Sequence, residues 1–169
     1  MKYFVYALDH TYTNEISFST KLLGFCDDIE GLEKIKKEAL NLSGFSRYPD
    51  SFIINKYILD KVYWKNGFET IIGEMGRDYL CEGDHSIDET FLSVKELGLQ
   101  SVFSVSHSYT IHRYLDDERF IGVFSSRENA EQAVENLKKQ DGFILHPEDF
   151  DISELDLNDL LWKSGFSSV

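Results

Sequence analysis

The sequence predicts an α+β protein made of two tandem ββαβ units, residues 1–69 and 101–169, joined by an acidic connector at 70–100. Strand-like alternation, two helical stripes and the spacing of rare residues predict this architecture. The chain has two tryptophans and two prolines, and the members of each pair lie 98 residues apart: Trp64 and Trp162, Pro49 and Pro147. Because rare residues seldom agree on one offset by accident, we interpret the chain as an internal duplication.

Each copy contains the patterns of two strands, a helix and a third strand, in that order. In the second copy, apolar residues recur at helical spacing after a serine that can act as an N-cap. In both third strands the alternation of apolar and polar residues shifts by one position midway along the strand. Such a shift is typical of a β-bulge. Small units of this size bury little surface alone, so we expect the copies to form an intrachain pseudo-dimer about an approximate two-fold axis.

The connector carries one local helix signal. Ser86-Ile87-Asp88-Glu89 has the spacing of a capping box, and Gly98 follows at a position suited to a helix end. These signals predict a short bridging helix near 87–97.

Both copies close on the sequence W-K-x-G-F. Together with an upstream G-F pair, a P-x-x-F-x-I stretch and a leucine, this pattern resembles a small bacterial and phage domain family of unknown function. Its members have one or two units of about 70 residues, a size at the lower end of independent domains. The resemblance covers 101–169 and, less closely, 1–69. It implies a small α+β domain and transfers no catalytic residues.

Composition limits the classes of partner. The net charge is −13, and residues 101–169 carry six Lys/Arg against thirteen Asp/Glu. Such a surface repels nucleic-acid phosphates and anionic lipid headgroups, so we expect neither nucleic acid nor membrane as a partner. No apolar run is long enough to span a bilayer, and the first residues do not resemble a signal peptide. We therefore expect a cytoplasmic protein whose two cysteines, Cys26 and Cys81, are packing residues.

No motif for catalysis is present. The chain contains no P-loop, no G-x-S-x-G sequence and no histidine–cysteine spacing suited to zinc. We accordingly predict no enzymatic activity, no metal and no cofactor. His10 and His107 end the first strand of each copy, and we interpret both as structural residues.

The third strands suggest a function, because the second copy has acidic residues where the first has apolar or basic ones. The predicted partner-binding residues are Asp149, Asp151, Glu154, Asp156 and Asp159. Our leading hypothesis is a non-catalytic acidic protein-binding module that contacts another protein of basic character. Its most concrete version is a bacterial immunity protein or an inhibitor of a toxin or effector.

Two alternatives remain open at this stage. The first is a small-molecule-binding or enzymatic domain with a pocket between the copies. Its candidate residues are His10, Tyr12, Trp64, His107, Tyr109 and Trp162. The second is an accessory or regulatory protein of a phage or mobile element. The sequence does not predict the partner's identity or the oligomeric state.

Overall fold

The computed structural model describes residues 1–13, 18–65, 67, 83–112 and 115–163. Over these residues the fold is α+β, with two mainly antiparallel sheets and few helices. The elements are β1 (Tyr3–Thr13), β2 (Phe18–Cys26), α1 (Ile29–Ala39), α2 (Ser43–Ser46), β3 (Phe52–Ile58), β4 (Leu92–Ser93), β5 (Ser101–His112), β6 (Leu115–Phe124), α3 (Arg127–Leu137) and β7 (Phe150–Asp156).

The chain divides into two compact units that are not contiguous in sequence. Unit 1 comprises the described residues of Met1–Ile58, Glu82–Gln100 and Leu155–Val169, and unit 2 those of Leu59–Cys81 and Ser101–Glu154. These packing units differ from the sequence segments 1–69 and 101–169, because the residues that follow β3 join unit 2 and those that follow β7 join unit 1. We call residues 155–163 and 59–65 the closing segments of units 1 and 2.

Unit 1 is built around β1, which pairs antiparallel with β2 and β3 and, over two residues, parallel with β4. Helix α1 begins where Asp28 accepts a 2.8 Å hydrogen bond from the Gly31 amide, which satisfies one donor of the first turn. Its apolar stripe joins the core below the sheet. That core contains Leu8, Leu23, Cys26, Leu32, Ile35, Ala39, Phe45 and, from the closing segment, Leu160.

Unit 2 has a three-stranded sheet of order β6-β5-β7 covered by α3. Ser126 caps α3 by accepting a hydrogen bond from the Asn129 amide, as the sequence predicts for a serine at this helix start. The buried core consists of Val105, Ile121, Phe124, Ala130, Val134, Leu137 and Phe143. Val62 and Trp64 of the closing segment pack against this core together with Phe150 and Ile152.

The closing segments attach to β-bulges. In the β1–β2 ladder the register shifts between Leu8 and Asp9, which leaves Leu23 without a partner residue, and the Leu161 amide donates to the Leu23 carbonyl at 2.8 Å. In the β5–β6 ladder Ile121 is skipped in the same way, and its carbonyl accepts from the Tyr63 amide at 2.7 Å. A bulge frees a carbonyl from the ladder, so each one provides the attachment point for a closing segment.

Each closing segment also turns through a residue in the left-handed conformation. Asp60 has φ +61° and Asn158 has φ +62°, a region that Asp and Asn tolerate better than other side chains. The Asp60 carboxylate accepts hydrogen bonds from the Ser125 amide and hydroxyl at 2.9 and 2.8 Å. The Asn158 side-chain amide donates to the Asp27 carboxylate at 2.8 Å. The two turns are therefore held by different side-chain chemistry.

Two local features differ from the expectation. The helix expected near 87–97 is limited to one 3₁₀ turn at Val94–Leu97, which ends at Gly98 in the left-handed conformation, and turns and the short strand β4 precede it. Asp84 and Asp88 each accept a hydrogen bond from the amide two residues ahead, and these local bonds compete with a helix. The β-bulge expected in the third strand is absent from β3, because its pairing with β1 runs from Phe52 to Ile58 without a shift.

Candidate protein-binding surface

A groove lies between α3 and the start of β7 in unit 2 and encloses about 200 Å³. Its apolar floor consists of Val134, Phe150 and Ile152, which also pack on the unit 2 core. Exposed carboxylates line the rim, together with Lys138 and Pro147: Glu131, Glu135 and Glu148. Lys138 forms an ion pair of 3.0 Å with Glu135, so the rim keeps a negative excess.

The loop from α3 to β7 contributes an apolar protrusion. Ile144 is 55% exposed and Leu145 is 82% exposed, whereas Phe143 beside them is fully buried. Phe143 anchors the loop, and two turns support it through hydrogen bonds from the Phe143 amide to Gln140 and from the His146 amide to Phe143, both 2.9 Å. The loop backbone held by these turns therefore presents two adjacent aliphatic side chains to solvent.

His10 and His107 anchor the loops that lead into the third strands. The Nε2 atom of His10 donates to the Tyr48 carbonyl at 3.0 Å, and that of His107 donates to the His146 carbonyl at 2.8 Å. Both imidazoles are fully buried, and burial lowers the pKa of each. A neutral imidazole that donates to a carbonyl suits a structural support.

The aromatic residues of the pocket hypothesis are divided between the units. In unit 2 the Trp64 ring packs edge-on against Phe143 at 5.0 Å and lies 6.4 Å from the His107 ring. In unit 1 Trp162 is 37% exposed, with the Lys21 ammonium 3.9 Å from its ring centre. Tyr12, also in unit 1, packs against Tyr48 at 4.9 Å. Tyr109 lies on β5, and its side chain falls outside the described residues.

The five predicted partner-binding carboxylates also belong to both units. Asp149, Asp151 and Glu154 are exposed residues of unit 2, whereas Asp156 and Asp159 belong to unit 1. Asp151 and Glu154 are both exposed positions of β7. Several of these carboxylates already have an interaction within the chain. For example, Glu154 accepts a 2.8 Å hydrogen bond from the Ser101 hydroxyl. The rim carboxylates, which the sequence alone did not indicate, line one groove within unit 2.

Other kinds of site find little support in the part of the chain that the structure describes. No group of three or more His, Cys, Asp or Glu side chains there is arranged to hold a metal ion. None of the described helices has the length and apolar character needed to cross a membrane. Burial raises the pKa of the Cys26 thiol to about 12, which suits a packing residue rather than a nucleophile. Cys81 lies outside the described residues.

Comparison with known proteins gives one family match. Residues 100–166 match the family described as Domain of unknown function (DUF7336). The matched region contains α3, the groove and β7, and it continues through the closing segment of unit 1. Neither the curated proteins nor the solved structures yielded a match.

Proposed function

We propose that the protein is a non-catalytic, acidic protein-binding module of the cytoplasm that acts on a basic protein. Its most concrete version is a bacterial immunity protein, or an inhibitor of a toxin or effector. The groove of unit 2 carries the proposal, because it combines an apolar floor with a carboxylate rim in one compact unit.

The chemistry of the groove is that of a protein contact site. Binding energy at interfaces concentrates in apolar centres from which water is excluded, while a polar rim sets orientation. The floor residues and the exposed Ile144–Leu145 pair supply apolar surface in the same unit. The rim carboxylates favour partners of positive charge and increase the rate of their association at low salt.

We also infer that the sequence segments 1–69 and 101–169 arose by duplication. Three pairs of residues support this inference, because the two members of each pair share a structural feature and lie 98 residues apart in the sequence. They are the left-handed residues Asp60 and Asn158, the bulged residues Leu23 and Ile121, and the glycines Gly24 and Gly122. At Gly24 a Cβ atom would overlap the Asp159 carbonyl oxygen, and at Gly122 it would overlap that of Lys61.

Capture of partners at two salt concentrations tests the proposed function. The immobilised full-length protein is incubated with a lysate of its source cells, and bound proteins are compared between wild type and a triple variant that neutralises the rim, Glu131→Gln/Glu135→Gln/Glu148→Gln. The control variant removes the same charge from unit 1, Glu33→Gln/Glu38→Gln/Asp50→Asn. We expect a basic protein to bind both the wild type and the control variant. The rim variant should not retain it, and about 0.5 M salt should release it from the wild type.

The proposal fails if no protein is retained specifically, or if the rim variant retains the same proteins as the control. The immunity version requires one more result. Co-expression of the wild-type protein should relieve the toxicity of the captured protein, and co-expression of the rim variant should not.

A further inference from the structure

Unit 1 contains a lysine at the place where unit 2 has its groove. Lys36 of α1 lies 98 residues before Val134, and Phe52 lies 98 residues before Phe150. The Lys36 ammonium is 5.5 Å from the centre of the Phe52 ring, within the range of a cation–π contact. The helix of unit 1 thus covers the first aromatic residue of its third strand with a cationic side chain.

In the described part of unit 2 no cation stands at the position that corresponds to Lys36, and Lys138 at the groove is paired with Glu135. Val134 is short and uncharged, and the space beside Phe150 is the groove described above. The surrounding charge is also more negative, since Glu135 stands where unit 1 has Lys37. Glu131 and Glu148 correspond to Glu33 and Asp50, so the acidic positions on either side are kept.

We propose that this groove binds the side chain of a lysine presented by the basic partner. Its methylene groups lie against Val134 and Ile152, and its ammonium group occupies the face of Phe150 among the rim carboxylates. The contact between Lys36 and Phe52 is the intramolecular example of the same recognition. This proposal rests on the proposed function and specifies which chemical group of the partner is recognised.

The arrangement favours lysine over a purely apolar or a purely cationic ligand. The stem of a lysine can cover apolar surface while its ammonium stays at the acidic rim. An apolar side chain of equal length satisfies the floor and leaves the carboxylates without a cation. A small cation satisfies the carboxylates and leaves the floor exposed to water.

A titration of the ¹⁵N-labelled full-length protein tests the inference directly. The probe is Nα-acetyl-lysine N-methylamide, and Nα-acetyl-norleucine N-methylamide is the uncharged control of similar shape. We expect amide shifts to concentrate at 131–138 and 147–152. A single side chain binds weakly, so a dissociation constant on the order of millimolar is expected for lysine, with norleucine about threefold weaker or worse.

Two reciprocal variants sharpen the test. Val134→Lys places a lysine in the groove as in unit 1, and we expect it to weaken probe binding about tenfold or more by intramolecular occupation. Lys36→Val removes the lysine of unit 1 and is expected to create a second, weaker site with shifts at 33–54. Amide spectra away from the groove check that both variants are folded. If Val134→Lys unfolds, Glu131→Gln/Glu148→Gln replaces it and should weaken binding about threefold.

The inference is overturned if norleucine binds as well as lysine, if the shifts spread over acidic residues of both units, or if Val134→Lys binds the probe like wild type. Its failure is separable from that of the proposed function. A protein partner released by the rim-neutralising triple variant but retained by Val134→Lys would keep the binding module and exclude the lysine site.

Discussion

Each closing segment packs in the unit that does not contain the strand before it, and this predicts where the two tryptophans contribute stability. Trp64 should stabilise unit 2, and Trp162 should stabilise unit 1. Trp64 follows β3 of unit 1, yet it packs in unit 2 against Phe143 and lies 4.9 Å from the Arg119 guanidinium. Substitution of a well-packed tryptophan by alanine costs about 3–5 kcal/mol, and because Trp64 is only partly buried we expect about 3 kcal/mol for Trp64→Ala. The loss should appear in β5 and β6.

Trp162→Ala is the matched control. Its ring is 37% exposed, and its main described contact is the Lys21 ammonium. An exposed cation–π pair contributes about 0.5–1 kcal/mol, so we expect a total cost of about 1 kcal/mol, felt in β1 and β2.

Urea unfolding measures the two costs, and native-state hydrogen exchange locates them. Faster exchange of 102–107 and 119–124 in Trp64→Ala, with 4–10 and 21–26 unchanged, is the expected pattern. The opposite pattern, or equal costs for the two variants, would refute the assignment of the closing segments.

Three further predictions concern buried and strained positions. Burial raises the pKa of Asp9 to about 6, so its carboxyl contributes stability that is fully present below pH 4 and is lost as the pH rises through 6. Relative to Asp9→Asn, which does not titrate, urea unfolding of wild type should therefore lose about 2 kcal/mol between pH 4 and 7. Gly122→Ala should cost about 1–3 kcal/mol in thermal or urea unfolding, because the new methyl group meets the backbone of Lys61, and Gly24→Ala should show a similar cost in unit 1. Equality with wild type would contradict the close approach. Asn158→Ala should be about 1 kcal/mol less stable than Asn158→Gly, since both lose the Asp27 hydrogen bond but only alanine is strained at φ +62°; equal stabilities would argue against the left-handed turn.

Local signals in the sequence account for much of the secondary structure. The serine N-cap and the apolar spacing predict α3, and the stripe of Leu32, Ile35 and Ala39 follows the acidic start of α1 as expected. Strand alternation locates the three main strands of each unit. Such features depend on neighbours a few residues apart, which the sequence displays directly.

The attachment of the closing segments could not be predicted in this way. β2 and β6 both offer a bulged carbonyl and a nearby glycine, so the local pattern fits either closing segment equally well. The helix expected near 87–97 is limited to the 3₁₀ turn at Val94–Leu97, because the capping-box spacing before it also fits two successive aspartate turns. The groove was missed because it needs α3 and β7 side by side. The signal available was the change from Lys36 to Val134 at an offset of 98 residues.

Segment exchange also sets an order for folding during synthesis. Leu160 completes the core around Leu8 and Leu23, yet the ribosome adds it 157 residues after Tyr3, where β1 begins, which at typical elongation rates takes several seconds or more. During that interval the bulged carbonyl of β2 faces water instead of the Leu161 amide. A nascent chain that stalls after β3 would leave the amino-terminal sheet unfinished and would be an early target for chaperones and proteases.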